Sequence, residues 1–268
     1  MRNFIALKLL LFLIIGALNE ESTNTQSVIK VTYKEETSYP DGFANRYRTG
    51  IKSIVVDGIA YDKNKPLTIE KGQTIEIIFS ENNPPKSLRL FFGYVEEWKI
   101  GDKNNNKIQS IDFSNFDDSQ VTNIDYLFYG CTALEEINFE NFQTKGVGNL
   151  NHVFENCKSL KSLDLTNIKL IEDGIQQMTQ LFYGCSSLEF INMTSFNGKN
   201  VNNAELFLRG TKSLKKLILY NAEVSDIFKE ELLKSLDENQ NMSVCHDDNK
   251  IIYDKDGCVV PNAGSPMK

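Results

Sequence analysis

The chain has 268 residues, 41% hydrophobic and 24% charged, a balance that folds and excludes disorder throughout. Its formal charge of -7, from 36 acidic against 29 basic side chains, offers no basic footprint for nucleic acid. With two histidines, His152 and His246, and one tryptophan, Trp98, histidine catalysis and a histidine metal cage have almost no material.

Arg2 and Lys8 lead into the apolar run Leu9 to Leu18, which turns polar at Asn19, Glu20 and Glu21. Residues 1–18 are therefore expected to be a secretory signal peptide, with cleavage near Gly16 and Ala17. The run is short for a bilayer span, although an uncleaved anchor is the alternative. No cysteine follows the run, and the C-terminal PNAGSPMK lacks the apolar tail of a GPI signal. The mature chain is expected to be extracellular, without a transmembrane span, and residues 19–27 read as a linker.

Residues 28–107 carry strand signals without a repeat: VIKVTYK, IKSIVV, LTIEKGQTIEIIF with Gly72 at its turn, and LRLFFGY. This β-rich region is either a small sandwich or a cap over the first exposed edge of the downstream segment. Val95 to Ile100 resembles Leu134 to Phe139 and would make a truncated coil with Trp98 in the core. The oxygen-rich stretch Asp102 to Asn106 has Lys107 where a calcium loop needs glycine, and reads as a turn.

Self-similarity then governs the chain. LFYGCTALEEINFENF from Leu127, VFENCKSLKSLDLTNI from Val153 and LFYGCSSLEFINMTSF from Leu181 repeat one pattern; a half copy starts at Ile108 and a degraded one at Phe207. The anchors Ile108, Leu134, Leu160, Leu188 and Leu214 step by 26, 26, 28 and 26, inside the leucine-rich repeat range. The longer step lies between Ile168 and Ile175 and reads as a two-residue loop insertion. Inward columns are expected at Ile111, Ile137, Leu163, Ile191 and Leu217, and at Phe113, Phe139, Leu165, Met193 and Leu219. The return limbs should bury Val121, Val147, Ile175 and Val201, then Phe128, Phe154, Phe182 and Leu208. Asn123, Asn149, Gln177 and Asn203 form a polar column whose amides are expected to bond carbonyls of the adjacent coil.

The predicted architecture for residues 108–222 is an α/β leucine-rich repeat solenoid with short parallel strands, about 4.8 Å apart. Five strands would present one outward face. Its middle column is Asp112, Asn138, Asp164, Asn192 and Ile218, acid alternating with amide so that amides bridge carboxylates. The face is either a recognition surface or simply solvated. Asp112 and Asp164, taken as a catalytic pair, would stand roughly 10 Å apart in the open.

Residues 223–260 are expected to close the far end. Ser225 can N-cap a helix from Asp226 to about Leu236 with Ile227, Phe228, Leu232, Leu233 and Leu236 on its apolar face. Cys245 and Cys258, flanking turn signals, read as a disulfide loop in an exported chain. Zinc on Cys245, His246 and Cys258 would lack a fourth ligand, and residues 261–268 are a tail. Cys131, Cys157 and Cys185 share one repeat position with Thr211 and read as small buried thiols, disulfides between coils being the alternative. Two sequons, at Asn192 and Asn241, offer glycosylation.

The pattern F-x-x-C-x-x-L-x-x-[IL]-[ND]-[FLM], with FSNFDDSQVTNIDYLFYGCTAL as its fullest copy, resembles the BspA-like leucine-rich repeat family of surface proteins. The resemblance implies a secreted or surface-displayed protein whose repeats bind host or matrix proteins, or other cells, without catalysis. Thr211 in place of cysteine, the insertion in the third coil and the small number of coils depart from it.

The expected function is non-enzymatic recognition of a protein or glycan on a cell surface or in extracellular matrix, with no cofactor and no metal. Partner contacts are assigned to Glu136, Asn138, Asp164, Phe190, Asn192, Lys216 and Tyr220, with Phe190 and Tyr220 as aromatic anchors. The alternative is a structural or self-assembling protein with no dedicated ligand face.

Overall fold

A computed structural model describes residues 26–43, 48–95, 100–168, 174–238 and 242–246. The expected signal peptide, Trp98, the longer loop after Ile168, Asn241 and Cys258 lie wholly or largely outside them. The chain forms a β-solenoid of about five turns with a β-rich N-terminus and one helix near the C-terminus.

The N-terminal strands are β1 (Val28–Tyr33), β2 (Thr37–Tyr39), β3 (Ile51–Val56), β4 (Ile59–Tyr61), β5 (Leu67–Ile69), β6 (Thr74–Phe79), β7 (Tyr94–Val95) and β8 (Ile100–Gly101). The solenoid strands are β9 (Ile108–Asn115), β10 (Glu136–Asn138), β11 (Ser162–Asp164), β12 (Phe190–Asn192) and β14 (Lys216–Ile218), with the short β13 (Asn197–Gly198) and β15 (Glu223–Val224) on a return limb. Helix α1 (Asp226–Glu238) and β16 (Ser243–Cys245) complete the fold.

Alternation in VIKVTY puts Ile29, Val31 and Tyr33 at 0% exposure on one face of β1. That strand lies between β6 and β9, antiparallel to both, in a six-stranded sheet ordered β10-β9-β1-β6-β3-β4. The N-terminal region is thus a cap: β1 satisfies the free edge of the first coil with backbone hydrogen bonds. Asp57 and Gly58, both at positive φ (50° and 78°), make the tight turn between β3 and β4.

Arg48 ties this cap to the segment that leads into the solenoid. Its buried guanidinium donates to the carbonyls of Phe43 (3.0 Å) and Phe91 (3.1 Å), to Asn105 Oδ1 (2.7 Å) and to Asp102 Oδ2 (3.0 Å). Asp102 and Asn105 belong to the one-turn segment Lys103–Lys107 and its cap, a 3-10 helix that Asp102 opens by accepting from Asn104 N. The oxygen-rich stretch is therefore a turn, as its sequence indicates.

Every inward column falls in the core, with only Ile137 partly buried. Phe92, Phe128, Phe154 and Phe182 stack along the axis, with centroids 6.1, 5.4 and 5.5 Å apart and planes within 18°. The Cys131, Cys157 and Cys185 thiols are free and buried, donating to the carbonyls of Phe92, Phe128 and Phe154 one coil back, at 3.0, 3.2 and 2.9 Å.

Several expectations are corrected. The return limbs are not helical, so the α/β leucine-rich repeat description gives way to a β-solenoid. Tyr126, His152, Gln180 and Leu206 sit at φ between 52° and 60°, a left-handed conformation that interrupts helical bonding. Their N–H groups turn along the axis instead: Tyr126, Phe128 and Gly130 donate to the carbonyls of Asn151, Val153 and Glu155, and the pattern recurs one coil later. In the polar column, Asn123 and Asn203 accept from N–H groups two residues ahead in their own coils rather than reaching neighbouring carbonyls. Asn149 Oδ1 is buried and takes no hydrogen bond among the described residues.

The strand face is also not one sheet of five. β10 pairs with β9, whereas β11, β12, β14 and β16 form a second parallel sheet. β16 is a sixth strand missed by the repeat pattern, placed after α1 in register Lys216↔Ser243. At the junction of the second and third coils a void of about 20 Å³ is lined by Phe128, Phe139, Phe154 and Leu165 among others. The limb hydrogen bonds and the phenylalanine stack carry the solenoid across it.

Helix α1 starts as expected, with Ser225 Oγ accepting from Phe228 N and donating to Val201 O. Phe228, Leu232 and Leu236 are buried at spacing i, i+4, i+8, but Ile227 and Leu233 are 42% and 48% exposed. The apolar stripe is narrower than the sequence suggests because the helix packs along a single row.

Candidate functional site

A side-chain oxygen stands at Asp112 within the eight-residue β9 and at the last residue of each of the three-residue strands β10, β11 and β12, whereas β14 ends on Ile218. Asp112, Asn138, Asp164 and Asn192 each accept, through Oδ1, the N–H two residues ahead, on Ser114, Glu140, Thr166 and Thr194, at 2.9 to 3.2 Å. Aspartate and asparagine are interchangeable in that role because both present Oδ1. The amides also bridge coils: Asn138 Nδ2 donates to Asp112 Oδ1 at 2.9 Å, and Asn192 Nδ2 to Asp164 Oδ2 at 3.4 Å. The expected acid-amide alternation is therefore present on either side of the sheet break.

The acids and amides of the middle column are thus committed to strand closure, and the other predicted contact residues stand in the columns beside it. Glu136 is exposed in register with Ser110, while Ser162, Phe190, Lys216 and Ser243 form one row across the second sheet. Phe190 and Lys216 are half-buried neighbours, as is Tyr220 two residues beyond β14. Ile218, expected to face outward, is buried at 1% exposure, in register with the equally buried Cys245. The expected pairing of Cys245 with Cys258 falls outside the described residues, as does the Asn241 sequon.

Two ion pairs edge the face: Lys34 with Glu135 at 2.6 Å and Lys215 with Glu189 at 2.5 Å. The hydrogen-bonded ammonium in each pair holds its carboxyl below the usual carboxylate range. Asn192, the central sequon residue, is half-buried, and its Oδ1 takes the Thr194 hydroxyl at 2.8 Å.

Two groupings escaped the sequence reading. On the return limbs the Arg89 guanidinium lies 4.5 Å from the Tyr126 ring centroid, Tyr126 stacks on His152 at 4.4 Å, and His152 Nδ1 meets Glu155 Oε2 at 2.6 Å. Burial raises the Tyr126 phenol and the Asp125 carboxyl above their ordinary values. The second grouping is an open cleft of about 560 Å³ between the 3-10 segment and the first two complete limbs, with Tyr94, Lys103, Lys107, Tyr129 and Lys158 on its walls. Nothing in the repeat spacing joins Lys103 to Lys158; only the fold of the cap onto the limbs does.

No group of three or more His, Cys, Asp or Glu that could hold a metal occurs among the described residues, and none of their helices is long and apolar enough to cross a membrane. Fold and surface define a capped β-solenoid repeat protein. Residues 99–221 match the family model described as "Mycoplasma protein of unknown function, DUF285", which spans the repeats and the approach to them. A comparison with curated proteins and one with solved structures each gave no match.

Proposed function

We propose that this is a secreted or surface-displayed binding protein of the BspA-like kind, non-enzymatic, that docks a protein or glycan partner on the second strand sheet. The observation that supports this reading is the row Phe190, Lys216 and the adjoining Tyr220: partly accessible aromatic groups beside a cation, on strands locked by the Asp164 and Asn192 bridges. Side chains held this way lose little freedom on docking. Glu136 and Asn138, on the other side of the break, add polar contacts at the rim. In this reading the Cys245–Cys258 disulfide braces the terminal loop, and Asn241 carries any glycan more readily than Asn192, whose amide is already bonded.

The test is binding of the purified chain to a panel of matrix proteins and intact cells, with Phe190→Ala/Tyr220→Ala as comparison. Loss of roughly 30-fold in Kd with an unchanged circular dichroism spectrum is expected for paired anchors of about 2 kcal/mol; unchanged affinity overturns the assignment. Self-assembly is the second reading, supported by the exposed edge strand β4, where Ile59 is 60% and Tyr61 40% exposed. Concentration-dependent growth in light scattering, abolished by Ile59→Lys, would favour it.

A further inference from the structure

The geometry points to a second binding site, separate from the strand face: the cleft beside Lys103–Lys107 takes an acidic oligosaccharide.

Three lysines, Lys103, Lys107 and Lys158, line one cavity of about 560 Å³, and no aspartate or glutamate of the described residues lines it. In a chain of net charge -7 that local excess of positive charge is built by the fold. Two acids close in sequence to the lining are directed elsewhere: Asp102 to Arg48 at 3.0 Å and Glu155 to His152 at 2.6 Å. Lys107 is fixed by donating to Glu36 O at 2.9 Å. Lys103 and Lys158 make no ion pair among the described residues, so their charge is available to an anion.

The remaining lining selects the kind of anion. Tyr94 and Tyr129 supply aromatic walls on which the C–H face of a pyranose ring can lie, and the amide of Asn156 suits sugar hydroxyls. The volume falls within the range of small-molecule sites and matches one or two sugar rings, and the open mouth lets a longer chain continue past it. Rigidity comes from below. Arg48 pins the 3-10 segment through Asp102 and Asn105, and the limb hydrogen bonds fix Tyr129 and Asn156. The cleft belongs to the first coils because the cap stands beside them.

The shared chemistry is a sulfate ester or carboxylate on a saccharide, and two probes separate these sources. The purified chain is titrated calorimetrically with a heparin-derived tetrasaccharide, with its fully desulfated counterpart, which keeps the carboxylates, and with a neutral tetrasaccharide. Inorganic sulfate is the competitor. Binding of at least one acidic probe is expected, weakening as salt rises, together with no binding of the neutral one. Lys103→Ala/Lys158→Ala should weaken it roughly tenfold, and Tyr129→Ala should weaken it while leaving the salt dependence unchanged. Because both lysines are exposed, the fold should survive, as circular dichroism will check. No binding of either acidic probe, binding indifferent to the lysine pair, or displacement by sulfate at equal concentration each overturns the proposal. The strand-face variant Phe190→Ala/Tyr220→Ala should bind these saccharides normally, which keeps the two sites distinguishable.

Discussion

Replacing Phe154 by leucine tests whether the axial phenylalanine stack holds the coils together beyond the apolar area it buries. Phe154 is 3% exposed and lies between Phe128 and Phe182, at 5.4 and 5.5 Å with planes 18° and 12° apart. Truncation to alanine would cost about 3–5 kcal/mol, a large share of the roughly 5–15 kcal/mol that holds a typical domain folded. Leucine keeps most of the volume and removes three ring pairs, the two axial ones and an edge contact with Phe139 at 6.4 Å, each worth about 0.5–1.5 kcal/mol beyond area, so about 1.5–4.5 kcal/mol is expected. With a urea slope of about 2 kcal/mol/M, the unfolding midpoint should fall by about 0.7–2.3 M. Circular dichroism during urea titration measures this. The double variant Phe128→Leu/Phe154→Leu should cost less than the sum of the two single variants, because the shared pair is lost only once. A leucine effect below about 0.5 kcal/mol, or strict additivity, refutes the stack as a source of cohesion.

Two further outcomes concern the buried thiols and the strand-closing amides. Burial pushes the Cys131 and Cys157 thiols well up and the Cys185 thiol to about 12, so above the unfolded thiol value near 8.5 the unfolded chain holds fewer protons than the folded one. Stability should be intact below about pH 8.5 and fall steadily as pH rises toward 12; Cys185→Ala should make that decline shallower, and an identical slope would refute the assignment. Asn138→Asp keeps the bond to Glu140 N but sets two carboxylates against each other where Asn138 Nδ2 now meets Asp112 Oδ1. On this exposed strand a loss of about 0.5–1 kcal/mol is expected at low salt, largely recovered at about 0.5 M or above; equal losses at both salt concentrations would show that charge is not the cause.

The columns of the solenoid were legible because each apolar position recurs at a nearly constant step, and burial in a stacked array demands that recurrence. Ile111, Phe128 and Cys157 landed where their spacing placed them. The limbs were misread because apolar spacing does not report φ: Tyr126, His152, Gln180 and Leu206 share no chemistry, yet all adopt the left-handed conformation that replaces helix with an inter-coil ladder. β16 was missed since α1 intervenes and Ser243–Cys245 is too short a pattern to align, with Val244 as its one counterpart of the inward strand column. On the candidate face, the acid-amide column was visible but its use in strand closure was not, because that depends on backbone N–H groups. The cleft was invisible for a different reason: Lys103 and Lys158 meet only through the cap.

The antiparallel seam between β1 and β9 also gives assembly a direction. β1, β6 and β3 can form a sheet as soon as residue 79 is available, well before any coil exists, and the seam then offers β9 a finished edge on which to register. Each later coil adds to one already in place, with a sequence separation near 26 residues, so no long loop must close at once. A chain synthesised from its N-terminus meets its folding template first, and the growing end stays open only until α1 and β16 arrive to shut it.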